Sequence, residues 1–248
     1  MNKPLEGKVA VVTGSARNIG RAIALGLAED GARVVVNARS SQRDAESVAA
    51  EIRTQGGEAT LIMADLSDPL QVNALFDKAC EVYGRLDVLV NNAAVRRETA
   101  LADISLEEWR AVLSSILDAS FLCAQAAVAR MEHGGRIINI GGMTAHSGAP
   151  GRAHVVAAKA GLVGLTKALA IELAPRAITS NIVVPGRIAT NRAASGLTEP
   201  AHHDYHASPL GIHGASEDVA VMVRHLAGPG GRYITGQTIH VNGGIYLP

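Results

Sequence analysis

The sequence predicts an α/β protein, a single domain over residues 1–248 built on a doubly wound parallel sheet of about seven strands with helices on both faces. Three observations predict it. Short β-branched runs alternate with helix-length apolar patterns along the whole chain. The first strand turns through glycines straight into a helix. No linker, internal repeat or low-complexity block interrupts the 248 residues. Hydrophobic residues make up 48% of the chain, enough for one large core, and only 3% is aromatic, so Ala, Gly and Val let helices lie close on the sheet.

Residues 9–12 (Val-Ala-Val-Val) read as a buried first strand, and apolar periodicity over 21–30, with Ile23, Leu25 and Leu27, as the first helix. Between them lies Thr13-Gly14-Ser15-Ala16-Arg17-Asn18-Ile19-Gly20. Gly14 permits a sharp turn, Gly20 lets the helix approach the sheet, and Asn18, where a third glycine is usual, tolerates a left-handed backbone. Such a turn gathers unpaired N–H groups and the positive end of a helix at one point, which suits a phosphate. Residues 31–39 supply a second strand and complete a βαβ unit, the arrangement of Rossmann-type folds. A helix over 41–55 ends at Gly56-Gly57, a strand over 59–64 ends at Asp65, and helix 69–83 and strand 86–91 follow. A long helix over 105–131 precedes a buried strand at 136–140; a second, over 151–173, precedes a strand at 179–184 closed by Pro185-Gly186. Periodicity lapses over 188–213, a length more usual in a functional lid than in a structureless loop. Helix 216–226 and strand 238–241 close the chain.

Lys plus Arg and Asp plus Glu number 23 each, so the charge balance favours neither nucleic acid nor an anionic membrane. The amino terminus carries Lys3, Pro4 and Glu6 in place of an apolar leader core, and no run is expected to reach the length of a membrane span, so the expected location is cytoplasmic. Cys80 and Cys123 fall within helical apolar patterns and read as small core residues. The cluster His202-His203-Asp204-Tyr205-His206 places two imidazoles on one helix face, but no separated further ligand accompanies them, so no metal is expected.

The glycine-rich turn, Asn91-Asn92-Ala93-Ala94, Lys159, Pro185-Gly186, Thr235-Gly236-Gln237 and Asn242-Gly243-Gly244 together resemble the short-chain dehydrogenase/reductase family, over roughly residues 5–246. The resemblance implies a nicotinamide dinucleotide held by Gly14, Ser15, Arg17, Asn18, Ile19 and Gly20, with Asp65 and Leu66 at the adenine. It further implies Asn91 and Ala93 along the ribose and pyrophosphate, Lys159 at the nicotinamide ribose, and Pro185, Gly186, Ile188 and Thr190 on the nicotinamide side. The second strand ends Asn37-Ala38-Arg39-Ser40 with no acid for a ribose 2′-hydroxyl; Arg39, with Ser40 beside it and Arg17 nearby, suits a 2′-phosphate, so NADP(H) is expected in preference to NAD(H). Two surface arginines beside an NAD site are the alternative. Family members usually form tetramers through the two long helices and the last strand, and a homotetramer, or a hetero-oligomer with an active relative, is expected here.

The family's proton-handling residues are a Ser, a Tyr four residues before the Lys, and an Asn on the preceding long helix. Lys159 is present, but the Ser position holds Gly142, the Tyr position Val155 and the Asn position Ile116, which predicts a dry, aliphatic pocket facing the nicotinamide. Helical spacing puts Arg152, Val155, Val156 and Lys159 on one face, with His154 off it. Related enoyl reductases carry their Tyr seven residues before the Lys, here Arg152, a candidate replacement donor; Thr144, His146 and Ser147 are others. Arg96 and Arg97 are candidate contacts for an anionic substrate. The expected function is an NADP(H)-dependent oxidoreductase acting on a small carbonyl, imine or activated alkene with a non-standard proton donor. A silent NADP(H)-binding sensor or subunit, and a non-redox isomerase or lyase, are the alternatives.

Overall fold

A computed structural model describes residues 3–190 and 208–248. Seven strands, β1 (Val9–Val12), β2 (Arg33–Ala38), β3 (Ala59–Met63), β4 (Leu86–Asn91), β5 (Met131–Ile140), β6 (Thr179–Pro185) and β7 (Thr238–Val241), form one parallel sheet in the order β3-β2-β1-β4-β5-β6-β7. The helices are α1 (Asn18–Glu29), α2 (Gln42–Thr54), α3 (Pro69–Tyr83), α4 (Leu106–Leu113), α5 (Ala119–Val128), α6 (Thr144–Ser147), α7 (Ala153–Glu172) and α8 (Ser216–Ala227).

β1 shows why the strands read as unbroken apolar runs. Ala10 and Val12 point into the cluster that includes Ile23 and Leu27 of α1 and Val219 and Val223 of α8, whereas Val9 and Val11 point into the cluster that includes Phe76 of α3 and Cys123 of α5. Both faces are covered, so no position is left for a polar residue, and each buried Val contributes roughly 1.5–3 kcal/mol. Arg224 of α8 pairs with Asp30 (Nε to Oδ2, 2.8 Å) and Glu29, joining the last helix to the first. Cys123 is fully buried and Cys80 half-buried; both are free thiols, and burial pushes the first up to about 12.

Several expectations need correction. The helix expected over 105–131 is α4, a π turn at Ser114–Asp118 and α5, and Met131 already belongs to β5. β5 therefore starts before residue 136: its pairing with β4 jumps from Leu86↔Met131 to Val88↔Arg136 across a bulge containing Gly134, whose φ of 92° reads locally as a break. α6 was not anticipated. Of the span 188–213, residues 188–190 and 208–213 contain no helix or strand, only an isolated bridge between Ile188 and Gly214; the rest of the expected lid, with His202, His203, Asp204, Tyr205 and His206, lies outside the described residues. Contrary to expectation, Leu106–Val128 (23 residues) and Ala153–Glu172 (20 residues) are long and apolar enough to cross a membrane by length and composition. Both pack on the sheet, and a core helix meets the same criterion.

At the amino ends of the central strands, away from the cleft described below, the Asp87 carboxylate of β4 accepts from the Val9 N–H (3.0 Å), Lys8 Nζ (3.0 Å) and Arg85 Nε (2.8 Å). Burial raises its pKa, but these donors, Arg85 foremost, outweigh that and hold it below the usual carboxylate range. Asp87→Ala strands the β1 N–H and two cations and is expected to cost about 2–4 kcal/mol in urea unfolding at pH 7. Because the folded pKa lies below the unfolded value of about 3.9, this stability is present above that value and is lost as pH falls through the folded one, so wild type and variant converge in acid.

Candidate active site

From β1 the chain winds outward to β2 and β3, then returns to β4 on the other side of β1, so the loops after β1 and β4 diverge and open a cleft at the carboxyl ends of the strands. A cavity of about 850 Å³ runs along it, from Arg39 and Ser40 after β2 to Gly186 and Ile188 after β6.

The turn after β1 forms its near wall. Gly14, where a sharp turn is expected, has φ 60°, and Asn18 has φ 49°, the left-handed backbone expected of it. A Cβ on Gly14 would lie 2.8 Å from Ala93 Cα, so only glycine lets this turn meet the loop after β4. A Cβ on Gly20 would strike the Gly14 carbonyl and the Asn92 amide. Arg17, Asn18, Ile19 and Gly20, at the amino end of α1, line the cleft, and no side chain caps that end. Its first-turn N–H groups are thus the electropositive donors that a helix lacking a cap presents to an anion.

Three residues outside the expected site set hold this turn. The Thr13 hydroxyl donates to the Val90 carbonyl (3.2 Å) and accepts from the N–H of Asn92 (2.9 Å) and Ala93 (3.0 Å). Asn92 Nδ2 donates to the Thr13 and Gly14 carbonyls, 2.9 Å each. Asn37 Oδ1 accepts from the Gly14 N–H (3.3 Å), while its Nδ2 donates to the Ile62 carbonyl of β3 (3.1 Å). An amide at the otherwise apolar end of β2 was the sequence signal for the last of these.

At the β2 end, Arg39 and Ser40 line the cleft with Asp65 and Leu66. Arg39 keeps its side chain 61% exposed, with Nη1 only 3.9 Å from an Asp65 oxygen. Arg17 instead pairs closely with Asp44 of α2. Asp65 accepts from the hydroxyl and N–H of Ser67, which, with Arg39, hold its carboxyl below the usual range against burial.

At the far end, Lys159 is 8% exposed and donates from Nζ to the Ile140 carbonyl at the end of β5. Burial first, then the charges of Arg96 and Arg152, bring its pKa down to about 7. Gly142, Met143, Arg152 and Val155 line the same wall, and Pro185, Gly186 and Ile188 close it. A Cβ on Gly142 would meet nothing within 4 Å.

Other expected residues are elsewhere. Ser15 is fully buried: its hydroxyl donates to the Val12 carbonyl (2.8 Å) and accepts from the Asn37 N–H (3.0 Å), so it braces β1 against β2 and does not line the cleft. Asn91 is buried too, its Nδ2 donating to Asn139 Oδ1 (2.9 Å); Ala93 and Asn92 line the cleft in its place. Thr190 is outside the lining, its hydroxyl oxygen buried. Ile116 is fully buried beneath the wall, against Met143 and Val155, and Val156 also stays out of the cleft. The expected dry aliphatic pocket is therefore incorrect: Val155 and Gly142 face a cleft that Arg96, Arg97 and Arg152 also line. Of the other candidate donors Thr144 lines the cleft, whereas His146 packs on His240 (ring centroids 4.8 Å apart) and Tyr246. His154 points away, its Nε2 3.3 Å from Glu108.

Comparison with known proteins places this geometry. Residues 14–246 match a family model described as enoyl-(acyl carrier protein) reductase. The chain is 43% identical over 246 residues to a 3-oxoacyl-[acyl-carrier-protein] reductase of Synechocystis sp., covering 98% of both, and 42% identical over 242 residues to that of Staphylococcus aureus, covering 97% of this chain and 98% of the relative. Among solved structures, a dehydrogenase/reductase from Sinorhizobium meliloti superposes with a TM-score of 0.94 at 35% identity, covering 99% of this chain and 98% of that one. A short-chain dehydrogenase from Burkholderia cenocepacia in complex with NADP gives 0.91 at 39%, covering 98% and 99%. Matched by this family model over residues 14–246 and by these relatives along nearly its whole length, the protein belongs to the short-chain dehydrogenase/reductase family.

Proposed function

We propose that the protein is an NADP(H)-dependent oxidoreductase of a small carbonyl, imine or activated alkene, working without a tyrosine acid. The observation that carries this reading is the pairing, in one cleft, of an uncapped α1 amino end with a buried, low-pKa Lys159 at the opposite end.

The residues fit the dinucleotide. In this reading the α1 terminus and the Gly14–Gly20 turn take the pyrophosphate, Asp65 and Leu66 flank the adenine, and Ala93 follows the ribose. Arg39, open and only loosely held by Asp65, takes the 2′-phosphate, with Ser40 beside it. Lys159 takes the nicotinamide ribose, and Pro185, Gly186 and Ile188 the nicotinamide side. The relative from Burkholderia cenocepacia, crystallised with NADP, supports the choice of dinucleotide. When bound, the dinucleotide supplies or accepts a hydride at its nicotinamide ring.

The proton has to come from this chain's own residues. Val155 and Gly142 have none to give, and the guanidinium of Arg152 stays protonated throughout the working range. Lys159 Nζ is the group on that wall whose proton is labile near neutral pH, so it is the donor in this reading, and Arg152 orients the acceptor. An iminium or an activated alkene asks less of such an acid than a ketone does. We further propose assembly as a homotetramer, because α5 and α7 leave apolar residues outside, among them Phe121 and Ile171; four chains per particle in light scattering is the expected result.

Three outcomes test the reading. NADPH is expected to bind at least tenfold more tightly than NADH, and Arg39→Ala to remove most of that preference while leaving NADH binding unchanged. Lys159→Met, which removes the group that takes the nicotinamide ribose, is expected to weaken NADPH binding about tenfold in calorimetry. NADPH oxidation is expected with some member of a panel of ketones, enones and imines. If NADPH binds and none is reduced, the protein is a silent binder, and Gly142→Ser with Val155→Tyr, sterically open at Gly142, is then expected to confer ketone reduction. Adding Ile116→Asn buries an amide in an apolar cluster and is expected to cost about 1–3 kcal/mol of stability.

A further inference from the structure

The loop that follows β4 runs through residues 94–99 with neither helix nor strand, yet Val95, Arg96, Arg97 and Glu98 all line the cleft. A loop without a ladder takes its place from its anchors. The upstream anchor is the Ala93 N–H, which donates to the Thr13 hydroxyl (3.0 Å). The downstream anchor is Thr99, and it is tied twice. Its N–H donates to the Gly151 carbonyl (2.8 Å) in the turn before α7, and its hydroxyl donates to Glu108 Oε1 of α4 (2.7 Å).

The same carboxylate oxygen holds α7. His154 is fully buried, and its Nε2 lies 3.3 Å from Glu108 Oε1. The Val155 N–H donates to His154 Nδ1 (3.0 Å), which leaves the ring proton on Nε2, so the imidazole donates to Glu108. That arrangement also occupies a first-turn N–H of α7, whose N-cap, Arg152, gives no side-chain cap. The Thr99 hydroxyl foremost, then His154, holds the Glu108 carboxyl below the usual carboxylate range against the effect of burial. Ser105-Leu106-Glu107-Glu108 has the spacing of a capping box, and the Ser105 hydroxyl does accept from the Glu108 N–H (3.0 Å). Among the described residues, however, the Glu108 carboxylate is bonded to Thr99 and His154, 9 and 46 positions away, and not to the Ser105 N–H.

We propose that Glu108 is a positioning residue for the substrate: through one carboxylate oxygen it holds the 94–99 loop and the amino end of α7 at a fixed separation, and so sets the width of the cleft between that loop and the Val155 wall. Only residues 94–98 lie between the two anchors, so releasing Thr99 loosens four cleft-lining residues at once. The dinucleotide turn after β1 is held by separate bonds, from Thr13, Asn37 and Asn92, and is untouched by that release. This rests on the reading that the nicotinamide end of the cleft receives the substrate.

The test combines amide hydrogen exchange with steady-state kinetics on the full chain. In Glu108→Ala, exchange over 95–100 and 151–156 is expected to accelerate about tenfold while β1 and β4 keep their protection, and Glu108→Gln, whose amide oxygen accepts from both donors, is expected to restore the wild-type rate. Thr99→Val deletes one donor at nearly constant shape; it is expected to accelerate exchange over 95–100, and adding it to Glu108→Ala to change nothing further. With the fastest-reduced member of the ketone, enone and imine panel as probe, Glu108→Ala is expected to raise KM about tenfold with kcat and NADPH binding unchanged, because placement is lost and chemistry is not. Wild-type exchange over 95–100 in folded Glu108→Ala overturns the proposal, as does a Glu108→Gln variant that behaves like Glu108→Ala, or a fall in kcat at constant KM. Should Glu108→Ala fail to fold, Thr99→Val against wild type gives the same comparison. If no panel member is reduced, the oxidoreductase reading fails instead, and the exchange comparison, which uses no substrate, still decides whether Glu108 holds the loop.

Discussion

The architecture depends on how closely two strand ends can approach. Where β1 and β4 separate, the Gly14 turn and the Ala93 loop come together so tightly that a single methyl group on Gly14 would lie 2.8 Å from a backbone carbon. Thr13 and Asn92 then tie those two loops by four hydrogen bonds, two accepted by the Thr13 hydroxyl and two donated by the Asn92 amide. Loops alone would not hold such a geometry. It persists because the strands beneath are buried on both faces and fixed in register, so the cradle inherits the rigidity of the sheet.

The opposite end of the cleft obeys a different constraint, that of a charge removed from water. Among the described residues Lys159 donates to the Ile140 carbonyl, and the charges of Arg96 and Arg152 oppose its proton. A phenol at position 155 would ordinarily give such an ammonium a partner, but Val155 supplies only bulk. Any ligand that touches Lys159 therefore binds with an affinity linked to its protonation.

Much of this was readable from residue order alone. The alternation of strand and helix, the Gly14 and Asn18 backbone conformations and the positions of Arg39, Asp65 and Lys159 follow from local patterns, since period, turn chemistry and strand ends are short-range properties. What escaped the reading was side-chain direction at strand ends. Ser15 and Asn91 are polar residues in the right loops, yet both spend their hydrogen bonds on neighbouring strands, a choice fixed by β2 and β5, far away in sequence. Ile116 lies beneath the wall, inside a π turn at Ser114–Asp118 that no period in the sequence announces. The arginine-lined wall required the fold to bring 96, 152 and 187 together.

The threefold engagement of Asn37, whose amide holds Gly14 and β3 while its N–H meets Ser15, bears on redesign of dinucleotide choice. An engineer wishing to install a ribose-reading acid would look first to the end of β2, and the tempting position there is already occupied by a structural tie. Any exchange of polarity belongs at Arg39, two residues downstream, where β2 has ended and the side chain is open to solvent. Selectivity in this scaffold is thus separable from integrity by the distance of two peptide units.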